Sequence, residues 1–264
     1  MRRQDDTYLD DQYAFSTFMR RVLSVSEAPM RRRQVQRHIR AVDVETAATH
    51  LYTALVGGVR GDPDARMATF AIVDLLNHAD ATDQLALEAI HLHARGADLE
   101  ALAWLLVNPP PARSVDQIRM NQGRGRAMTL GERRTVASGW DPKLLDRLTG
   151  ETEPMVIERL CANPRVREAH LLPIVTRRPT RPEILDVVAR HPRWFASETV
   201  REAIVQNPYV ATGLALRMMP LVSYRTLVAV RNAGDLHPAL RRFAGLLDGL
   251  RRDGAAPGHE ADEA

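Results

Sequence analysis

Two five-residue stretches, Leu160-Cys-Ala-Asn-Pro164 and Ile204-Val-Gln-Asn-Pro208, place the same Asn-Pro pair 44 residues apart. Val188-Ala-Arg-His-Pro192 is a variant of them, and Leu105-Leu-Val-Asn-Pro109 is an earlier copy. Proline removes an amide hydrogen and disfavours helical geometry in the residue before it, so each pair marks a corner. The pattern predicts that an apolar residue anchors the last turn of one helix, that Asn or His leaves the helical path, and that proline opens the next helix.

Reading outward from these corners, apolar periodicity and capping residues predict helices near 141–148, 153–162, 165–176, 182–190, 198–206, 209–219, 221–231 and 237–250. Connections this short force neighbouring helices to run antiparallel, and a helix with one apolar stripe buries it on the next pair. Composition agrees: aromatic residues make up 5% of the chain against 45% hydrophobic overall, which favours helix over sheet. The predicted fold class is all-α, an α-solenoid of short antiparallel hairpins over residues 140–250 preceded by a helical N-terminal region over residues 1–109.

Six helices are expected in that N-terminal region. They run over about 8–23, 31–41 and 44–56, the last ended by Gly57-Gly58, then from Asp62-Pro63 to about Asn77, and over 82–94 and 98–107. Asp62 can accept the free amide hydrogens of a first turn that Pro63 is preshaped to enter. Residues 110–139 read as a basic Pro/Gly/Arg-rich linker in which Thr129-Leu-Gly-Glu132 forms a capping box and starts a short helix. The tail, 251–264, is small, acidic and without large apolar side chains, and is expected to be disordered.

The period and the Asn-Pro punctuation of residues 140–250 resemble HEAT-like and leucine-rich-repeat-variant α-solenoid proteins. The block from Gly125-Arg-Ala-Met-Thr-Leu-Gly-Glu-Arg133 into the Asn-Pro hairpins also resembles uncharacterised bacterial proteins of this type. The resemblance implies an architecture and no particular activity, since solenoids host many functions.

Several constellations invite chemistry. Glu88 and His91 have the i, i+3 spacing of di-iron carboxylate bundles, with Asp74 and His78 one turn apart on a neighbouring helix. No second Glu-x-x-His accompanies them, and they read more simply as surface or hairpin-edge residues. Cys161 could act as a nucleophile with His170 or His191, but a small buried thiol at a helix end is the simpler reading. As the one cysteine it excludes an intramolecular disulfide and a multi-cysteine metal site. Gly123-Arg-Gly-Arg126 lacks the Gly-Lys-Ser/Thr ending of a phosphate loop. Trp104, Trp140 and Trp194 read as core or hairpin-wedge residues.

Lys143 is the one lysine among 36 basic residues, and the formal charge is only +3. Arginine forks suit phosphate and carboxylate recognition, while a GC-rich genome explains the same bias. Between residues 117 and 139, Arg119, Arg124, Arg126, Arg133 and Arg134 oppose only Glu132, which makes them the candidate contacts for an anionic partner. No signal-like or membrane-spanning apolar run is present, so the chain is expected to be soluble and cytoplasmic. The functional expectation is a noncatalytic scaffold that binds another protein, without cofactor or metal. The alternative is nucleic-acid backbone binding through the basic 113–134 segment.

Overall fold

The computed structural model describes residues 2–113 and 128–254, with the side chains of 2–11 and 142 left outside the description. Sixteen α-helices and no strand occur among the described residues, as the all-α expectation requires. The chain divides into two compact units. The first holds residues 2–107, 219–221 and 242–254; the second holds 108–113, 128–218 and 222–241.

In the first unit the helices are α1 (Arg2–Leu23), α2 (Ala28–Ala41), α3 (Val44–Val59), α4 (Pro63–His78), α5 (Ala81–Gly96) and α6 (Glu100–Leu106). Helix α3 is the centre, packing on α4, α5 and α6, and it buries Ala47, Ala48, Leu51, Ala54 and Leu55. Its start is fixed by Asp43, which accepts the Thr46 amide at 2.8 Å. Asp62 caps α4 in the same way, accepting from Asp64 and Ala65.

Gly57 and Gly58 do not end α3, which continues to Val59. They are contact points instead: a Cβ on Gly57 would meet the Ala65 side chain at 2.8 Å, and one on Gly58 would meet the Arg66 Cα at 2.9 Å. The missing side chains let the backbones of α3 and α4 approach.

The second unit contains α7 (Leu130–Ser138), α8 (Pro142–Asp146), a 3-10 turn (Arg147–Gly150), α9 (Pro154–Ala162), α10 (Glu168–Val175), α11 (Pro182–Arg190), α12 (Pro192–Ala196), α13 (Glu198–Val205), α14 (Thr212–Met218) and α15 (Tyr224–Asn232). Helix α7 opens on the expected capping box: Thr129 Oγ1 accepts the Glu132 amide, and Glu132 accepts the Thr129 amide at 2.7 Å. Packing runs α7 on α9 on α11, and separately from the 3-10 turn to α10 to α13.

Helix α16 (Pro238–Gly254) extends past residue 250, into what reads from sequence as the start of the tail. Its residues from 242 onward group with the first unit, where Phe243, Ala244 and Leu247 are buried. Arg251 Nε donates to the Val59 carbonyl at 3.1 Å, and Arg60 Nε donates to the Leu250 carbonyl at 3.3 Å. Arg251 thereby satisfies a carbonyl in the last turn of α3, where the helix supplies no amide partner.

Candidate functional site

The corners of the second unit are built by side chains. Asn163, at the end of α9, donates through Nδ2 to the Ala137 and Gly139 carbonyls at the end of α7, at 2.8 and 2.6 Å. Asn207, at the end of α13, donates to the Val175 and Arg177 carbonyls at the end of α10, at 2.7 and 3.0 Å. Each Oδ1 accepts the amide two residues on, from Arg165 and from Tyr209. That last bond turns the chain before the next helix, so Pro164 and Pro208 sit in non-helical turns and the following helices begin at Glu168 and Thr212. The expectation that these prolines open helices fails there and holds at Pro192, where His191 Nδ1 accepts no hydrogen bond among the described residues.

Other side chains brace the His191 corner. Arg193 donates to the Val166 carbonyl at 2.7 Å and more weakly to those of Asn163 and Pro164. Trp194 donates its indole N–H to the Cys161 carbonyl at 2.9 Å, with the Arg193 guanidinium 4.3 Å from its ring centre. In the other row Arg177 holds the carbonyls of Thr149 and Glu151. The earliest copy, Asn108, lies against Gly213 of α14, close enough that a Cβ there would collide with its carboxamide.

Of the five candidate arginines, Arg119, Arg124 and Arg126 fall outside the described residues. Arg133 is held inward: its Nε donates to the fully buried Glu151 at 2.9 Å and its Nη1 to the Met128 carbonyl at 3.1 Å. Glu151 also accepts the Thr152 and Glu153 amides. Arg133 therefore serves a buried ion pair, while Arg134 on the same helix is half-buried.

Asp74 and His78 bond to each other at 3.1 Å, and Arg32 approaches Asp74 at 3.5 Å. Asp74 raises the pKa of His78 through that contact. Among the described residues no group of three or more His, Cys, Asp or Glu side chains is placed to hold a metal ion. Burial, reinforced by Glu158, pushes the Cys161 thiol up to about 12, which leaves it protonated and unreactive near neutrality. His170 is engaged with the Arg167 amide and Asp146, and His191 lies against Trp194. Trp194 is buried, as expected, but Trp140 is 74% exposed, with Arg165 5.5 Å from its ring centre.

Sequence reasoning missed a histidine pair in which His50 is buried and His38 half-buried. His50 Nδ1 and His38 Nε2 are 3.1 Å apart, with the rings stacked at 12° and Phe18 4.3 Å from His38. Burial, followed by the charges of His50 and Arg21, lowers His38 to about 4. The two histidines are on adjacent helices, α2 and α3, which pack on each other. Their apolar-face positions were the available signal.

A cleft of about 370 Å³ lies between α5 and α6, lined by His91, Ala94, Arg95, Asp98, Glu100, Ala103, Trp104 and Val107. Its rim is set by the end of α5. The Leu99 amide bonds the Ala94 carbonyl at 3.0 Å and Asp98 takes the left-handed conformation, with φ 55°. This is a helix stop that usually employs glycine, and aspartate tolerates it better than most residues. Glu100 then sits one turn from Trp104 and accepts its indole N–H at 3.3 Å, while the indole stacks on Phe243 at 6.2 Å. His91 Nδ1 is buried and has no hydrogen-bond partner among the described residues. Glu88 is not among the lining residues.

No family model, curated protein or solved structure matches this chain. What the site can do therefore rests on its own geometry. Among the described residues, no helix is long and apolar enough to cross a membrane.

Proposed function

We propose that the second unit is a HEAT-like α-solenoid segment, and that the chain is a noncatalytic scaffold that binds another protein. The observation that supports this reading most directly is the pair of equivalent braces. Asn163 and Asn207 each join the end of their own helix to the end of an earlier one through two donated hydrogen bonds, and each turns its own chain by accepting a third. Such repeated fastening suits helices that stack in order, with α7, α9 and α11 in one row and the 3-10 turn, α10 and α13 in the other.

A stack of short, braced helices offers a firm surface, and this one leaves large apolar groups in solvent. Leu130, Trp140 and Met155 are exposed on the second unit, and Leu85 and Leu92, seven residues apart on one face of α5, are each 70% exposed on the first. Binding would cover such groups, and aromatic residues dominate the energetics of interfaces.

Crosslinking in native lysate with quantitative mass spectrometry tests the reading, comparing the parent chain with Trp140→Ser and Met155→Ser. A defined protein set lost from a variant that keeps its melting temperature supports it. A crosslinked set that is the same for parent and variants overturns it. Titration with duplex DNA at two salt concentrations covers the nucleic-acid alternative, in which affinity falls steeply with salt.

A further inference from the structure

The cleft between α5 and α6 is chemically mixed in an ordered way. Arg95 supplies a guanidinium from the last turn of α5; Asp98 and Glu100 supply two carboxylates from the connection and the first turn of α6. The rest of the lining is His91 and the largely apolar Ala94, Ala103, Trp104 and Val107. All of these residues belong to the first unit. The Glu100–Trp104 bond and the Phe243 stack fix the indole, so the wall is preformed.

A ligand that uses all of these groups carries one positive charge, one negative charge and an apolar body. A simple organic cation leaves Arg95 facing it, and a simple anion faces two carboxylates. We propose that this cleft binds a free apolar or aromatic α-amino acid. The ammonium lies at Asp98 and Glu100, where the indole face adds cation attraction, the carboxylate lies at Arg95, and the side chain rests on the apolar wall. A cleft of about 370 Å³ has room for such a molecule. The proposal is independent of the scaffold reading, since no residue of the second unit takes part.

The indole N–H resonance of Trp104, assigned by its loss in Trp104→Phe, reports the site by NMR in the full chain. Three probes separate the charges: L-phenylalanine, 2-phenylethylamine, which lacks the carboxylate, and 3-phenylpropionate, which lacks the ammonium. L-phenylalanine is expected to shift the resonance with half-saturation below about 1 mM, and each half-ligand at least about tenfold more weakly.

Asp98→Gly removes a carboxylate and also suits the left-handed backbone, so it folds at least as well as the parent. It is expected to weaken L-phenylalanine about tenfold and leave 3-phenylpropionate unchanged. Arg95→Met is expected to weaken L-phenylalanine and leave 2-phenylethylamine unchanged. No saturable shift up to about 10 mM, equal response to the three probes, or indifference to both substitutions overturns the proposal.

Discussion

At the scale of single residues, the second unit depends on carboxamides more than on the prolines beside them. Asn163 and Asn207 are both buried and each makes three hydrogen bonds to main chain. Replacing one by alanine leaves two carbonyls and an amide unpaired, at a cost of about 1–3 kcal/mol for each buried group that water cannot reach. Asn207→Ala is expected to lower stability by about 2–3 kcal/mol, read as a shift in the urea midpoint, and Pro208→Ala by much less. Equal losses in the two variants would return the main role to the proline. His38 gives a second prediction. Its folded pKa of about 4 is below its ordinary 6.5, so the unfolded chain binds the proton more readily. The stability it supports is complete above about pH 6.5 and is lost as pH falls toward about 4. His78, raised by Asp74, has the opposite sign, favouring the fold on the acid side and losing that contribution as pH rises through its raised value. Urea unfolding across this range should show a shallower acid loss in His38→Gln than in the parent chain; the same slope in both would remove the histidine pair as the cause.

At the scale of helices, the two classes of glycine separate cleanly. Gly58→Ala places a Cβ 2.8 Å from Thr69 Oγ1 and 2.9 Å from the Arg66 Cα, so the α3–α4 contact must open. A loss of about 2–3 kcal/mol is expected despite alanine's better helix propensity. Gly249→Ala in α16 meets nothing within 4 Å and is expected to gain about 0.5–1 kcal/mol. Thermal melts of the pair check both signs. Glu151→Ala strands Arg133 in a largely buried position and is expected to cost about 3–5 kcal/mol, measured by chemical denaturation. For the same reason, Arg133→Ala would weaken any ligand binding by loosening α7, not by removing a contact. Most helices were legible from periodicity and caps: Asp43-Val44, Asp62-Pro63 and the Thr129–Glu132 box all start helices as expected. Two local readings failed because a contact that periodicity does not register decides them. Gly57 and Gly58 look like a stop until α4 lies on them, and Pro164 and Pro208 look like helix openers until the asparagine side chain takes the next amide; α12 falls between the helices expected at 182–190 and 198–206. The cleft was less legible still. His91 and Trp104 attracted attention, but Asp98 gains its place from a left-handed backbone that favours glycine, and nothing in the sequence sets Arg95, in the last turn of α5, apart.

At the scale of the molecule, sequence order and spatial order diverge. Residues 219–221 and 242–254 belong with the first unit although most of the second unit precedes them, and Phe243, Ala244 and Leu247 are buried there. A chain stopped after Arg241 is therefore expected to lose stability in the first unit, more than 130 residues from the start of the deletion, counted back to Val107. Loss of hydrogen-exchange protection in α3, which α16 meets through Val59 and Arg60, would show it; unchanged protection there would mean that α16 is dispensable. The same arrangement sets an order of events at the ribosome. Helices α1 to α6 leave the exit tunnel first, yet the side chains that complete their core emerge after the second unit is synthesised. The first unit must keep part of its apolar surface waiting while the second is made, an interval in which an incomplete core invites misassembly.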